Sequence, residues 1–121
     1  IIAGGRDFNN YDGMSKCLDR LLKNINDNIE IVCGMARGAD RLGERYAKEH
    51  GYKVIYMPAD WDLYGKSAGF KRNVQMAEYA DALVAFWDGV SSGTKHMIET
   101  AQNMGLDVRV KKYLMVKRDS T

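Results

Sequence analysis

Short apolar runs alternate along the chain with longer stretches in which apolar positions recur every three or four residues. The runs at 1–3, 29–33, 52–57 and 82–87 have strand character, and the stretches at about 12–25, 38–50, 68–79 and 94–104 have helical periodicity. Segments 108–110 and 113–116 allow a fifth strand at an edge of the sheet. This alternation predicts an α/β fold, a Rossmann-like three-layer sandwich with a mainly parallel sheet of four to five strands and helices on both faces.

The segment between the third strand and the third helix differs from the other connections. Residues 59–67 read ADWDLYGKS, and we expect an irregular polar and aromatic loop there. A loop of about nine residues is long for a strand-to-helix connection, and long loops often carry function. We therefore expect this loop to take part in the function of the protein.

The amino-acid composition indicates the class of protein but does not identify a binding partner. The 121 residues are 45% hydrophobic and 28% charged, which is typical of one compact domain spanning 1–121. A net charge of +2, from 18 basic and 16 acidic side chains, is too small for a dedicated polyanion-binding protein but is compatible with a local basic cleft. Cys17 and Cys33 lack metal-binding spacing, no cofactor is evident, and no apolar run reaches the length of a membrane span. We expect a cytoplasmic protein with no membrane partner, whose first strand is truncated at Ile1.

Three glycine-containing turns follow predicted strands, at residues 4–7, 34–40 and 88–94. In a parallel sheet these turns share the edge at which ligands bind, next to helix N-termini that attract anions. Glycine lets a phosphate approach the backbone closely, and hydroxyl groups add donors. The predicted phosphate cradle consists of Gly4, Gly5, Gly34, Gly38, Ser92, Gly93 and Thr94. The alternative interpretation is that each glycine only begins a helix.

Charged and aromatic residues near these turns complete the predicted ligand site. The basic residues expected to pair with phosphate oxygens are Arg6, Arg37, Lys66 and Arg72, and we expect Arg72 to be an exposed arginine of the cleft. We expect Asp60 and Trp61 to face a base or ribose, with Asp40 and Asn73 on the same rim. For Asp40 the alternative is a hydrogen bond that ties its loop to a backbone N–H group. Neither the P-loop pattern nor the strict GxGxxG fingerprint occurs.

The motifs together resemble a known family. They are GGRDF at 4–8, GxAxGAD at 34–40, PADW at 58–61, YGKxAG at 64–69, Arg72-Asn73 and Gly93-Thr94. These motifs are similar, in kind and order, to those of the YspA/YpsA-like branch of the SLOG superfamily, which takes its name from the Smf/DprA and LOG proteins. The resemblance covers nearly the whole chain. It implies a Rossmann-like ligand-binding domain and leaves the activity open.

Two better understood relatives share parts of the pattern. The turn at 33–40 is similar to that of DprA proteins, which bind single-stranded DNA, and segment 71–94 is similar to LOG phosphoribohydrolases, which cleave the N-glycosidic bond of nucleoside monophosphates. The LOG resemblance implies a catalytic role for Arg72, but Met97 stands where LOG proteins carry a catalytic glutamate. Arg72 and Asp60 are therefore the candidate catalytic pair, and the other carboxylates at the predicted rim are Asp7, Asp40 and Asp88.

These observations favour binding of a nucleotide or nucleotide-derived ligand at the carboxyl edge of the sheet, by a sensor or an uncharacterised enzyme. One alternative is a LOG-like nucleoside-monophosphate phosphoribohydrolase. Another is DprA-like binding of single-stranded DNA. Homo-oligomerisation stays open.

Overall fold

A computed structural model of the protein describes residues 1–113. Its elements are, in chain order, β1 Ile2–Gly4, α1 Tyr11–Leu22, β2 Glu30–Cys33, α2 Ala39–His50, β3 Lys53–Tyr56, α3 Trp61–Tyr64, a 3-10 helix Gly65–Ser67, α4 Ala68–Tyr79, β4 Ala82–Trp87, α5 Ser92–Asn103 and β5 Asp107–Lys112. The alternation of strands and helices predicted from the sequence is thus confirmed.

All strand pairs in the described part of the chain are parallel. β4 lies between β1 and β5, and β2 pairs with β3. Within residues 1–113 no hydrogen-bonded ladder joins β1 to β2, so the five strands form a three-stranded and a two-stranded sheet rather than one continuous sheet. β1 and β2 nevertheless contact each other through the shared core.

The core has two halves, one on each side of the strands. Successive strand residues point to opposite faces, so Ile1 and Ile2 belong to different clusters. Helices α4 and α5 cover the first face, with Met76 and Met97 among their buried residues, whereas α1 and α2 cover the other. The predicted three-layer arrangement, with helices on both faces, is confirmed.

Local sequence explains where α1 and α2 begin and end. Asn10 caps α1, because its Oδ1 accepts a hydrogen bond of 3.0 Å from the backbone N–H of Gly13. The helix ends at Leu22, so Ile25, which the periodicity had included in the apolar stripe, lies beyond it with 46% of its surface exposed. Gly51 ends α2 with φ 72°, a left-handed conformation that glycine adopts without strain.

The predicted loop at 59–67 is largely helical. Asp60 begins α3, since its Oδ1 accepts a 3.0 Å hydrogen bond from the N–H of Leu63, and the 3-10 helix follows directly. The prediction of an irregular loop was therefore wrong. An Asp that accepts from the N–H group three residues later is a helix start that the sequence reading had missed.

The last two elements also differ in their limits from the prediction. α5 begins at Ser92, two residues earlier than expected, and β5 is one strand, Asp107–Lys112. Tyr113 follows that strand, and positions 114–116 of the second proposed strand segment lie outside the described residues. In the part of the chain described, no helix has the length and apolar character needed to cross a membrane.

Candidate functional site

The turns after β1 and β4 and the first turn of α4 surround a cleft of about 670 Å³, which we call the main cleft. The predicted ligand residues that line it are Gly4, Gly5, Arg6, Arg37, Asp40, Trp61, Lys66, Arg72, Asn73, Ser92, Gly93 and Thr94. Gly34 and Gly38 do not line it. Asp60 lies in a neighbouring groove, where it caps α3, and so stands apart from the main cleft. The structure therefore brings together most of the predicted rim but separates Asp60 from Asn73 and the α5 turn.

The N-terminus of α5 forms one wall of this cleft. Among residues 1–113 no acceptor pairs with the backbone N–H groups of Ser92, Gly93 and Thr94, and the first paired donor is Lys95, which bonds to the Ser91 carbonyl at 3.1 Å. A Cβ added at Gly93 would meet nothing within 4 Å. Unpaired N–H groups at a helix start carry partial positive charge. This wall can accept an anion without any rearrangement of its backbone.

Asp88 holds the turn that precedes α5. Its Oδ1 accepts hydrogen bonds from the N–H groups of Val90 at 2.9 Å and Ser91 at 2.7 Å, and these bonds lower the pKa of its carboxyl group. Trp87 assists, because its Nε1–H donates to the Ser91 carbonyl at 3.1 Å. Both side chains therefore position the α5 turn.

The glycines of the first two turns have a packing role. Gly38 has φ 75°, and a Cβ there would lie 2.2 Å from the carbonyl oxygen of Gly5. The N–H of Ala39, the first donor of α2, bonds to that same oxygen at 3.1 Å. A Cβ at Gly4 would lie 2.1 Å from the carbonyl oxygen of Phe86. Glycine is therefore required at these two positions because another backbone segment lies very close. The sequence had instead suggested that these glycines let a phosphate approach the backbone.

Asp40 is the buried carboxylate of the site. Its residue is 5% exposed, and its Oδ2 accepts a 3.2 Å hydrogen bond from the N–H of Ala36. Burial raises the pKa of this carboxyl group to about 6, and the Ala36 N–H and the charge of Arg72 only partly oppose that effect. The hydrogen bond from Ala36 ties the loop to the Asp40 carboxylate, which is the alternative role predicted for Asp40 from the sequence. Asp40 nevertheless lines the main cleft.

Arg72 and Asn73 link the turns to one another. Arg72 donates from Nη1 to the Gly34 carbonyl and from Nε to Asn73 Oδ1 at 3.1 Å. The Asn73 amide in turn donates to the Gly93 carbonyl at 3.3 Å and lies 3.2 Å from His96 Nδ1. Arg72 is half-buried, and burial lowers its pKa. The expectation of an exposed cleft arginine was therefore wrong, because its guanidinium is bonded to the protein itself.

Two exposed aromatic rings border the main cleft. Trp61 is 54% exposed, and its ring lies against Gly69, where an added Cβ would be 3.5 Å from the indole carbon Cη2. Phe70, which the sequence reading did not select, is 46% exposed and packs on His96 with ring centroids 4.3 Å apart. The sequence did contain an indication of this exposed position. Phe70 is an apolar residue in a polar helix turn directly after the YGKxAG motif, where a core position is not expected.

The floor and the outer edge of the cleft contain residues outside the predicted ligand-binding set. Met76 and Met97 line it from below, both almost fully buried. Asp7 lies at the edge and accepts a 3.0 Å hydrogen bond from the hydroxyl of Tyr113. The position at which LOG proteins carry glutamate is therefore part of an apolar floor here.

Comparisons with known proteins agree with this architecture. The model of a family described as "YspA, cpYpsA-related SLOG family" matches residues 1–64. The Gene 61 protein of Mycobacterium phage D29 is 34% identical over 114 residues, which cover 89% of this chain and 91% of that protein. The crystal structure of DNA processing protein A (DprA) from Streptococcus pneumoniae superimposes with a TM-score of 0.70 at 18% identity, over 95% of this chain and 51% of that one. The chain thus spans about half of the DprA structure, and the likeness is one of fold.

Proposed function

This chain belongs to the YspA- and cpYpsA-related SLOG family, as its motifs indicate, and from that premise we propose that it binds a nucleotide or nucleotide-derived ligand in the main cleft. The observation that carries the proposal is the α5 N-terminus, where three unpaired N–H groups and the open position at Gly93 face a cleft that is also lined by arginine and lysine. Anions bind at such helix starts because the N–H groups and the helix dipole act together.

The remaining walls suit the rest of a nucleotide. Arg6, Arg37 and Lys66 line the cleft, and within residues 1–113 none of them has a carboxylate within 4 Å. Trp61 and Phe70 offer exposed ring faces for a base. A phosphate at α5 with its base against one of these rings is the arrangement that we propose.

The matched variants Gly93→Asp and Gly93→Asn test this proposal. An added Cβ meets no atom at this site, and a carboxylate in the first turn of a helix adds about 0.3–1 kcal/mol of stability, so both variants are expected to fold. Gly93→Asp places a negative charge where the phosphate binds, and we expect its affinity for adenosine monophosphate in calorimetric titration to fall at least tenfold. Gly93→Asn, of nearly the same size, retains most of the affinity.

Two results contradict the proposal. One is equal affinity of wild type and Gly93→Asp for the nucleotide. The other is a wild-type protein whose melting temperature does not rise with any of the four nucleoside monophosphates or with ADP-ribose, since a ligand at 100 times its Kd adds about 2.7 kcal/mol.

Binding of single-stranded DNA is a second candidate function, favoured by a specific surface. Exposed aromatic residues and lysines are interspersed along one segment of the chain at the main cleft, at Trp61, Tyr64, Lys66, Phe70 and Lys71. Aromatic platforms flanked by basic residues stack successive bases without sequence preference. Affinity for a ten-residue oligothymidylate, measured by fluorescence anisotropy, should then fall steeply between 50 and 200 mM salt. Absence of binding at the lower salt concentration rejects this candidate.

A further inference from the structure

A second pocket, of about 380 Å³, adjoins the main cleft at the turn between β2 and α2. Four arginines line it: Arg6, Arg37, Arg41 and Arg72. We call it the arginine pocket. Arg6, Arg37, Arg72 and Trp61 also line the main cleft, so the two spaces are continuous. Arg41 lines only the arginine pocket.

The protein supplies little negative charge to balance these guanidinium groups. Within the described residues, Arg6 and Arg37 have no carboxylate within 4 Å, and Arg41 bonds to Glu44 at 3.1 Å. Glu44 is already shared, because Lys48 lies 3.4 Å from its other oxygen and the Tyr56 hydroxyl also donates to it. Arg72 already donates to the Gly34 carbonyl and to Asn73 Oδ1 and is attracted by the buried Asp40 carboxylate. The other three arginines of the pocket have fewer internal partners and therefore favour an external anion, which their planar donor forks can bind in bidentate fashion.

The backbone of this turn is held in a costly conformation. Met35 has φ 66° and is the one non-glycine residue with positive φ among residues 1–113. A left-handed conformation is unfavourable for a non-glycine residue and persists where the surroundings require it. Here the Met35 N–H lies 3.4 Å from the Cys33 sulfur, and Arg72 binds the Gly34 carbonyl beside it. The turn that presents Ala36 and Arg37 to the pocket is thus fixed before any ligand binds.

The two anion-binding places lie on different strands. The α5 N-terminus follows β4, the arginine pocket follows β2, and β1 with its turn at Gly5 and Arg6 lies between them. The two places therefore do not follow neighbouring strands. Adjacent phosphates of a diphosphate share a bridging oxygen and are too close together to reach both places. Phosphates on opposite sides of one ribose are further apart.

We propose that the arginine pocket is a second phosphate subsite, and that the ligand is a nucleotide whose two phosphates are separated by its sugar. This inference rests on the proposed function, since the first phosphate is the one at α5. The same chemistry occurs in free nucleoside 3′,5′-bisphosphates and in the backbone of single-stranded nucleic acid.

Calorimetric titration with adenosine 5′-monophosphate, ADP and adenosine 3′,5′-bisphosphate tests the subsite. In the wild type we expect the 3′,5′-bisphosphate to bind at least tenfold more tightly than the monophosphate, and ADP to show a smaller gain. The ratio of bisphosphate to monophosphate affinity should fall severalfold towards one in Arg41→Gln. The matched control is Arg45→Gln, an arginine on the same helix that is equally bonded to a glutamate, Glu49 at 2.9 Å, but lies outside the pocket.

Oligothymidylate of ten residues replaces the bisphosphate in a second arm. An Arg41-dependent gain with the oligonucleotide alone identifies a strand as the source of the two phosphates, and a gain with the bisphosphate identifies a small molecule. The proposal fails if neither probe exceeds the monophosphate, or if Arg41→Gln and Arg45→Gln change the ratio equally. Failure of the proposed function is a different result, because then the monophosphate itself does not bind.

Discussion

The guanidinium group of Arg72 donates a hydrogen bond to the main-chain carbonyl oxygen of Gly34, and so joins helix α4 to the end of strand β2. An added Cβ at Gly34 would lie 2.9 Å from the same guanidinium and 2.8 Å from the Asp40 carboxylate. The absence of a side chain at Gly34 is what lets these two charged groups approach the turn. Arg72 therefore has a structural task in addition to any contact with a ligand.

Replacement of Arg72 should destabilise the fold. Arg72→Ala removes the hydrogen bonds to Gly34 and Asn73, and we expect the free energy of unfolding to fall by about 1.5–3 kcal/mol, as for hydrogen bonds that involve a charged group. Urea denaturation measures this change. Lys71→Ala is the matched control, an exposed neighbour expected to stay within about 0.5 kcal/mol. Equal stability of both variants would show that the bond to Gly34 contributes nothing.

The role of Arg72 illustrates what the sequence could predict. Its position beside Asn73, in a segment whose later motif is Gly93-Thr94, was enough to place it at the ligand edge. The partner of its guanidinium was not predictable, because Gly34 lies 38 positions away and contacts at that separation depend on the packing of β2 against α4. Hydrophobic periodicity indicates which side of a helix is apolar, but it does not indicate which backbone carbonyl a long polar side chain contacts.

The raised pKa of Asp40 should make the stability of the protein depend on pH. Burial raises its folded-state pKa from an ordinary value of 3.8 to about 6, so the folded protein keeps a proton that the unfolded chain has released. Stability contributed by this group is present at pH 4 and is lost as the pH rises through 6. A shift of about 2 pKa units corresponds to about 3 kcal/mol.

The variant Asp40→Asn isolates this effect from that of other carboxylates. Glu44, Glu49 and Asp88 have lowered pKa values and act in the opposite direction, but they are common to both proteins. Urea denaturation at pH 4, 5, 6 and 7 should show the wild type losing stability relative to Asp40→Asn as the pH rises. A constant difference across this range would mean that Asp40 titrates normally.

Gly38 and Gly93 should respond in opposite ways to the same substitution. Gly38→Ala introduces a Cβ 2.2 Å from the Gly5 carbonyl oxygen at a residue with φ 75°, and we expect a loss of about 1–3 kcal/mol or more. Gly93→Ala meets open space in a helix, where alanine is favoured over glycine by about 0.5–1 kcal/mol. Thermal denaturation of the pair provides the measurement. A tolerated Gly38→Ala would imply that the two turns can separate without cost.

These two glycines also show the limit of motif reading. In the sequence both follow a strand and precede a helix, so both were assigned to the phosphate cradle. Only the arrangement of the neighbouring turn separates them, since Gly38 packs on the Gly5 carbonyl whereas Gly93 faces the cleft. A glycine required by packing and one that admits a ligand have the same local signal.

Trp61 should contribute to nucleotide affinity through its ring. Trp61→Ala is expected to weaken adenosine monophosphate binding roughly tenfold or more, since stacking of a base on an aromatic ring contributes about 1–3 kcal/mol. Inorganic phosphate, which has no base, should bind equally to both proteins. Leu63→Ala is the control, because Leu63 lies on the same short helix and is 67% exposed but borders only the neighbouring groove. If Trp61→Ala weakened the binding of adenosine monophosphate and of inorganic phosphate equally, the base would not stack on Trp61 and would bind elsewhere, for example on Phe70.

The wild-type protein should not release free base from nucleoside monophosphates. Glycosidic cleavage needs a carboxylate near the ribose to stabilise the developing positive charge, and the position that supplies it in LOG proteins is Met97, 1% exposed in an apolar cleft floor. Loss of a few kcal/mol of transition-state stabilisation lowers a rate by orders of magnitude. Asp60, selected from the sequence as a substitute, caps α3 outside the main cleft.

Chromatography of each nucleoside monophosphate after incubation with the protein provides the test, and the structure identifies the variant that would explain a positive result. Asp40 is the buried carboxylate that lines the main cleft, and its pKa of about 6 suits proton transfer near neutral pH. If base is released, the activity should therefore disappear in Asp40→Asn, and its rate should depend on a group that titrates near pH 6. Release that persists in Asp40→Asn would shift the search to Asp7 and Asp88 at the cleft edge.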